Sequence, residues 1–270
     1  MSARHSSPRF VGRERELARI ATALERAAGG RTTSLLLTGS AGLGSSRLLD
    51  EVERRLALLD APFQVVRCSL EASLPGEPYG PIVAGFQPAL GALDDAALTR
   101  VIGPVAEPIA RLLPDLEPRL ASAGILTDRP WIVDPERRQA RLLEALLGCL
   151  ERLGERAPVL LIIEDLHAAD FGTRALATFL ARITRPGRLA MIATYQPDEL
   201  TRDHPLRADL EAMAEANEPP ATIALDPLGR DALAALIEGI EERRPSASEL
   251  LLVTERSRGN PLVAEEIVAA

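Results

Sequence analysis

The chain alternates short apolar runs with stretches in which apolar residues recur every three or four positions. Such runs are typical of strands buried on both faces, and such recurrences are typical of amphipathic helices. The pattern predicts strands at residues 34–38, 63–68, 159–163 and 189–194, and an edge strand at 222–225. Because helical stretches separate these strands, we expect βαβ crossovers and a parallel sheet with helices on both faces.

The helical stretches also indicate where the organisation of the chain changes. Helices are predicted from Glu14 to the Gly29-Gly30 pair and at 45–59, from Asp134 onwards, at 175–183 and at 206–214. Between residues 82 and 120 we expect short helices broken by Pro88, Pro104, Pro108 and Pro114. Beyond residue 226 only helices are predicted, at 230–240, at 249–256 and from 261. We therefore expect an α/β core over residues 1–226 and a helical lid subdomain, truncated here, over 227–270.

Composition limits the classes of function. The net charge is −8 and the pI about 5.1, so we expect no direct contact with nucleic acid. The polar start of the chain and the absence of a long apolar run predict a cytoplasmic protein without a membrane partner. All 31 basic residues are arginine, and no lysine is present to contact a phosphate group.

A glycine-rich segment, Gly39–Ser46, connects the first predicted strand to a helix. This is the context of the G-x-x-x-x-G-K-[ST] phosphate loop, whose backbone N–H groups bind phosphates at a helix N-terminus. The glycines fit, and Ser46 supplies the hydroxyl that contacts Mg²⁺ in such loops, but Ser45 stands at the lysine position. A plain strand-to-helix connection is the alternative for this segment alone.

Two carboxylates, Glu164 and Asp165, follow the most apolar predicted strand. Ligands of parallel α/β sheets bind beyond the carboxyl ends of the strands, so these side chains face the expected binding crevice. In phosphate-loop enzymes one such carboxylate helps to hold Mg²⁺ and the other orients the attacking water. A solvated strand end is the alternative, but pairing with the glycine loop favours the functional interpretation.

Taken together, these motifs resemble the signal-transduction ATPases with numerous domains (STAND). The resemblance is to the origin-recognition-like AAA module found at the front of large LuxR-type and maltose-regulator-type transcription activators. It is carried by Phe10–Glu14, by Gly39–Ser46 with Arg47, by Glu164–Asp170, by Ala193–Gln196 and by Gly259–Leu262.

The resemblance implies a phosphate-loop NTPase sheet of strand order 5-1-4-3-2 that binds ATP or ADP with Mg²⁺. Asp165 and Glu164 would be the catalytic carboxylates, and Ser46 and Glu164 the metal ligands. The nucleotide would be contacted by Val11, Gly12, Arg13, Gly39, Ala41, Gly42, Leu43, Gly44, Ser45, Ser46, Arg47, Gln196 and Pro261.

Two departures from the family pattern remove positive charge from the phosphates. Ser45 replaces the loop lysine, and Gln196 replaces the arginine that the family usually has after the sensor strand. A charge-assisted hydrogen bond contributes about 1.5–3 kcal/mol, against about 1 kcal/mol for a neutral one, and hydrolysis depends on such charge even more than binding does. We therefore expect binding to persist where hydrolysis is weak or absent.

Three functions remain open. The first is a nucleotide-dependent regulatory switch of signal transduction or transcription, acting on a homo-oligomer or a regulatory protein partner. The second is a nucleotide-free pseudo-ATPase that serves as a protein-interaction scaffold. The third is an ATPase completed by a cation supplied in trans.

Overall fold

The sheet has five parallel strands. The computed structural model describes residues 7, 9–59, 62–70, 78–103, 106–126, 134–183 and 185–269. In spatial order the strands are β2, β3, β4, β1 and β5, which confirms the predicted order of 5-1-4-3-2. Their bounds are β1 Thr33–Thr38, β2 Gln64–Cys68, β3 Val159–Ile163, β4 Leu189–Tyr195 and β5 Ala221–Ala224.

Helices cover both faces of the sheet and continue beyond its last strand. In the described ranges none of them combines the length and the apolar character that crossing a membrane requires. Their bounds are α1 Glu14–Ala28, α2 Ser45–Leu56, α3 Gly80–Gly91, α4 Asp95–Ile102, α5 Ala106–Leu112, α6 Glu117–Ser122, α7 Pro135–Arg156, α8 Phe171–Arg182, α9 Leu206–Ala214, α10 Arg230–Glu241, α11 Ala247–Ser257 and α12 Pro261–Ala269.

The two faces of the sheet have separate apolar cores because successive side chains of a strand point in opposite directions. In β3, Leu160 and Ile162 pack with α1 and α2, whereas Leu161 and Ile163 pack with the helices that follow β2 and β3. All five residues of β3 are buried, as its uninterrupted apolar run predicts. The carboxyl ends of β1, β3 and β4 therefore meet at one edge of a fully covered sheet.

Helices α10, α11 and α12, called the lid helices below, enclose an apolar cluster of their own. Leu233 and Ile237 of α10 are fully buried there, together with Val253 of α11 and Ala264 of α12. Val11, which precedes the first helix of the chain, packs against this cluster. The N-terminal segment thus joins the sheet domain to the lid helices.

One element differs clearly from its prediction. Pro88 was expected to break a helix, but it lies inside α3, so that prediction was wrong. A proline in a helix costs one backbone hydrogen bond and a steric clash. Its neighbours Phe86 and Leu90 are fully buried on α3, and this packing outweighs the cost. Helix α8 also begins earlier than predicted, because the Asp170 side chain accepts hydrogen bonds from the N–H groups of Gly172 and Thr173.

Candidate functional site

The phosphate loop turns sharply between β1 and α2. Gly42 has φ 80° and Gly44 has φ 90°, values that residues with a side chain rarely adopt. Helix α2 begins directly after Gly44, whose carbonyl accepts the first helical hydrogen bond, from the N–H of Leu48 at 2.9 Å. Ser45 and Ser46 are thus the first two residues of a helix whose N-terminus favours bound anions.

Asn260 holds the phosphate loop against the lid helices. Its amide nitrogen donates to the Ala41 carbonyl at 2.8 Å, and its amide oxygen accepts from the N–H groups of Leu262 at 3.0 Å and Val263 at 3.3 Å. A Cβ atom at Gly42 would lie only 2.8 Å from that oxygen. Asn260 lies in the segment Gly259–Leu262, which carries part of the family resemblance, but the sequence assigned it no role. Its position directly before Pro261, at the start of a helix, was the available signal.

Arg13 lies behind the same loop. Its side chain is buried, donating to the Leu43 carbonyl at 2.9 Å and forming an ion pair with Glu16 at 3.1 Å. The preceding Gly12 has φ 72°, and a Cβ atom there would lie 2.5 Å from the Cβ of Ala232 in α10. Arg13 therefore contacts the phosphate loop, and Gly12 lies against the lid helices.

The resemblance implies that the segment Phe10–Glu14 and Pro261 contact the nucleotide base, and residues of this set line a very small cavity. It has a volume of about 30 Å³, roughly that of one water molecule, whereas small-molecule sites usually measure about 300–1,000 Å³. A cavity of this size is too small for a purine base. The cavity is lined by Arg9, Phe10, Val11, Arg13, Leu43, Gly44, Arg47, Leu228, Leu236 and Pro261.

Arg47 directs its charge away from the phosphate loop. Its guanidinium forms an ion pair with Glu265 of α12 at 2.7 Å. It also donates to the Arg9 carbonyl at 3.0 Å and to the Ser7 carbonyl. Arg47 therefore links the N-terminal segment and α12 to α2.

A larger cavity, of about 380 Å³, lies on the other face of the sheet between α5 and α7. None of its lining residues among those described belongs to the predicted site. Burial raises the pKa of Tyr79 at its wall, and the negative charge of Asp170 raises this pKa further. The Tyr79 ring packs against Gly172, where a Cβ atom would lie 2.1 Å from it. This cavity is thus separate from the phosphate loop.

The two carboxylates follow β3, where the chain leaves the sheet. The Glu164 N–H donates to the Cys68 carbonyl at 2.9 Å, and the residue is only 8% exposed. Asp165 has φ 51°, and its N–H donates to the Thr194 hydroxyl at 2.9 Å. A non-glycine residue in this region is strained, and such strain is often found at functional sites.

The end of β4, the strand that Gln196 follows, lies beside the phosphate loop. Thr38 of β1 is in register with Tyr195 of β4, which places Gln196 next to the start of the loop. The Gln196 N–H donates to Nδ1 of His167 at 3.3 Å. His167 therefore connects the segment after β3 to the segment after β4.

Arg67, near the end of β2, forms an ion pair with the Glu164 carboxylate. Its Nε donates to Glu164 Oε1 at 2.6 Å, and its terminal nitrogen bonds Asp50 at 2.6 Å and Glu53 at 2.9 Å, both on α2. Burial lowers the pKa of Arg67, but its hydrogen bonds with Glu164 and Asp50 outweigh burial and raise this pKa. Burial raises the pKa of Glu53. Sequence reasoning did not single out Arg67, although a charged residue in a buried strand is an unusual feature.

The residues present fit a phosphate group better than a magnesium ion. Within the described part of the chain, the buried Thr38 hydroxyl below the loop has no hydrogen-bond partner. The Ser46 residue is exposed at the start of α2, so its hydroxyl can reach a ligand. Of the two predicted metal ligands, however, Glu164 is paired with Arg67.

The family described as the AAA ATPase domain matches residues 9–192. The chain belongs to the AAA ATPase domain family. Members are nucleotide-binding proteins, and the matched range includes the phosphate loop, both carboxylates and Arg67.

Similar proteins are considerably longer than this AAA chain. An uncharacterized protein of Rhizobium meliloti (strain 1021) is 28% identical over 278 residues, covering 96% of the chain but only 24% of the relative. The crystal structure of a STAND protein with a tetratricopeptide repeat sensor from Pyrococcus horikoshii matches with a TM-score of 0.51 at 18% identity. The match covers 100% of this chain and 32% of that structure. A Walker-type ATPase of Pyrococcus abyssi has a TM-score of 0.57 at 15% identity, covering 96% of the chain and 68% of that structure. At these identities the two structures show that the fold is shared.

Proposed function

We propose that this AAA domain binds ATP or ADP at the phosphate loop and acts as a regulatory switch with weak or absent hydrolysis. The observation that supports the proposal most strongly is the contact of the loop with the lid helices. Asn260 bonds the Ala41 carbonyl, and Arg13 bonds the Leu43 carbonyl from the other side. A ligand that reshapes the loop would change both contacts and so the position of the lid helices.

Weak hydrolysis follows from where the nearby positive charges are directed. Phosphoryl transfer depends on fixed charge at the terminal phosphate. Arg13 and Arg47 lie beside the loop and Arg67 lies beside Glu164, and each donates to carbonyls or carboxylates of the protein. The two positions at which the family pattern has a cation hold the neutral Ser45 and Gln196.

The remaining roles follow from the same arrangement. Ser46, exposed at the start of α2, would bond the phosphates of the nucleotide, and Asp165 would orient a water molecule. The sheet domain over 1–226 and the lid helices over 227–270 would be two domains that move relative to each other. Their movement would control self-association or a regulatory protein partner within a longer signalling or transcription protein.

Calorimetric titration tests this proposal directly. The unmodified chain, Ser45→Lys and Ser40→Lys would each be titrated with Mg·ATP and Mg·ADP. We expect micromolar binding to the unmodified chain and about a tenfold or larger gain in ATP affinity with Ser45→Lys, because a charge-assisted bond replaces a neutral one. Ser40 is exposed in the same loop, so Ser40→Lys adds the same charge at the wrong position and should give a much smaller gain.

The scaffold function is favoured by one observation, the cavity of only about 30 Å³ at the base-binding residues. No heat of binding for any of the three folded proteins would support the scaffold and contradict the switch. An ATPase completed in trans would show itself differently, because its turnover per molecule would rise steeply with protein concentration.

A further inference from the structure

The position of Arg67 follows from strand alternation. Its neighbours Val66 and Cys68 are fully buried in the core on one face of the sheet. The Arg67 side chain therefore points to the other face, where α2 packs. There it extends toward the carboxyl end of β3, so a cation lies between the helix that follows the phosphate loop and Glu164, the carboxylate that the family resemblance assigns to the metal.

The contacts of Arg67 fix it in place. Three carboxylates accept from its guanidinium: Glu164 at 2.6 Å, Asp50 at 2.6 Å and Glu53 at 2.9 Å. The Glu164 side chain is only 9% exposed, and that of Arg67 is 29% exposed. Ion pairs with so little solvent are screened much less than surface pairs. Asp50 and Glu53, both on α2, hold the guanidinium against Glu164.

We infer that Arg67 is the resident cation of the Glu164 carboxylate and that it makes nucleotide binding by this chain nearly independent of Mg²⁺. The inference rests on the proposed nucleotide function. A magnesium ion at Glu164 would have to compete with the guanidinium for a nearly buried carboxylate, and separating a buried ion pair is costly because it leaves an uncompensated charge. Arg67 is thus a positioning residue that acts through Glu164.

Nucleotide titrations with and without the metal test the inference. ATP and ADP would be titrated into the unmodified chain in magnesium chloride and again in EDTA. We expect the two dissociation constants to agree within about threefold, whereas a site that relies on the metal would lose about tenfold or more, since each tenfold corresponds to about 1.4 kcal/mol. A tenfold loss in the unmodified chain would overturn the inference without affecting the proposed nucleotide function.

Three variants show whether Arg67 is the cause. Arg67→Gln should acquire about a tenfold dependence on magnesium, because Glu164 is then free to bind the metal. Arg67→Lys keeps the positive charge and should retain metal independence, which also covers the case in which Arg67→Gln does not fold. Arg54→Gln removes the ion pair between the exposed Arg54 and the nearly buried Glu51, both on α2, and should behave like the unmodified chain. Equal metal dependence in all four proteins would contradict the role of Arg67.

A direct metal measurement separates this inference from the nucleotide proposal. Binding of Mn²⁺ alone would be followed by electron paramagnetic resonance in the absence of nucleotide. Arg67→Gln should bind Mn²⁺ about tenfold more tightly than the unmodified chain and Arg54→Gln, because only this change releases the Glu164 carboxylate. If no protein binds nucleotide but Arg67→Gln gains Mn²⁺, Arg67 is the resident cation and the switch is wrong. No gain in Mn²⁺ would overturn the inference.

Discussion

The two ends of the candidate site, one proposed to bind the base and the other the phosphates, differ in how their polar groups are satisfied. At the base end Arg13, Arg47 and Asn260 all bond other parts of the protein and leave a cavity of about 30 Å³. At the phosphate end, within the described residues, the buried Thr38 hydroxyl has no partner, and Ser46 is exposed at the start of α2. Protein groups fill the first end, whereas the second end has hydroxyl groups available to a polar ligand.

This difference shows why loss of the lysine need not remove the site. The geometry proposed to bind phosphate comes from two glycines with positive φ and a helix N-terminus, and it depends on backbone alone. The charges that drive hydrolysis come from side chains, and those nearby are used to hold the fold together. The loop backbone of this AAA domain therefore keeps its shape although the arginines nearby bond protein groups.

The largest effect is expected for Arg13→Ala, at the base end. The change leaves the Leu43 carbonyl and Glu16 without their partner in a buried environment. We expect the free energy of unfolding to fall by about 3 kcal/mol, the usual cost of breaking a buried ion pair. Urea denaturation would measure it. Protection of the fold by added nucleotide should also disappear.

Arg15→Ala is the matched control, because Arg15 is exposed on the same helix. It should change stability by less than about 0.5 kcal/mol and leave nucleotide protection intact. If Arg13→Ala kept full nucleotide protection, the assignment of Arg13 to the base pocket would be wrong. In that case its role would be limited to supporting the phosphate loop.

An intermediate effect is expected for Asn260→Ala, which removes the contact between the two ends. The variant loses the bond to the Ala41 carbonyl and the N-terminal cap of α12, so we expect a loss of about 1–2 kcal/mol. Ser246→Ala removes the corresponding cap of α11, which does not touch the loop. Thermal unfolding with and without ADP should show a smaller nucleotide shift in Asn260→Ala only. Equal shifts in both variants would contradict coupling through Asn260.

The strands and the sheet could be predicted from the sequence because burial on both faces leaves a continuous apolar run. The run at 159–163 matches β3 residue for residue, and the family resemblance supplied the strand order. Pro88 shows where local rules fail. Its cost as a helix breaker is smaller than the gain from burying Phe86 and Leu90, and that gain depends on tertiary contacts.

The site was predictable where the backbone forms it and not where ion pairs form it. Glycine spacing marked the phosphate loop, and Gly42 and Gly44 indeed have positive φ. The partners of Arg13, Arg47 and Arg67 depend on which side chains the fold brings within reach, such as Glu265, which is 218 positions from Arg47. Such ion pairs cannot be predicted from the spacing of residues in the sequence. The resemblance could assign Arg13 and Arg47 to a ligand but could not show what holds them in the folded chain.

The smallest effect is expected in α2, where the nearly buried Glu51 pairs with the exposed Arg54 and Arg55. The hydrogen bond from Arg54, opposed by burial and assisted by Arg55, lowers the pKa of Glu51 from 4.5 to about 2. A lowered pKa in the folded state stabilises the fold above pH 4.5, and this contribution is lost as the pH falls toward 2. Both arginines are more than half exposed, so Glu51→Gln should cost less than about 1 kcal/mol at pH 7. Urea denaturation at pH 7, 4 and 2.5 should show this difference shrinking, with nucleotide protection at pH 7 unchanged. A difference that stayed constant with pH would mean that Glu51 acts through packing, whereas a loss of nucleotide protection would mean that the whole of α2, and not only its first turn, belongs to the phosphate-binding end.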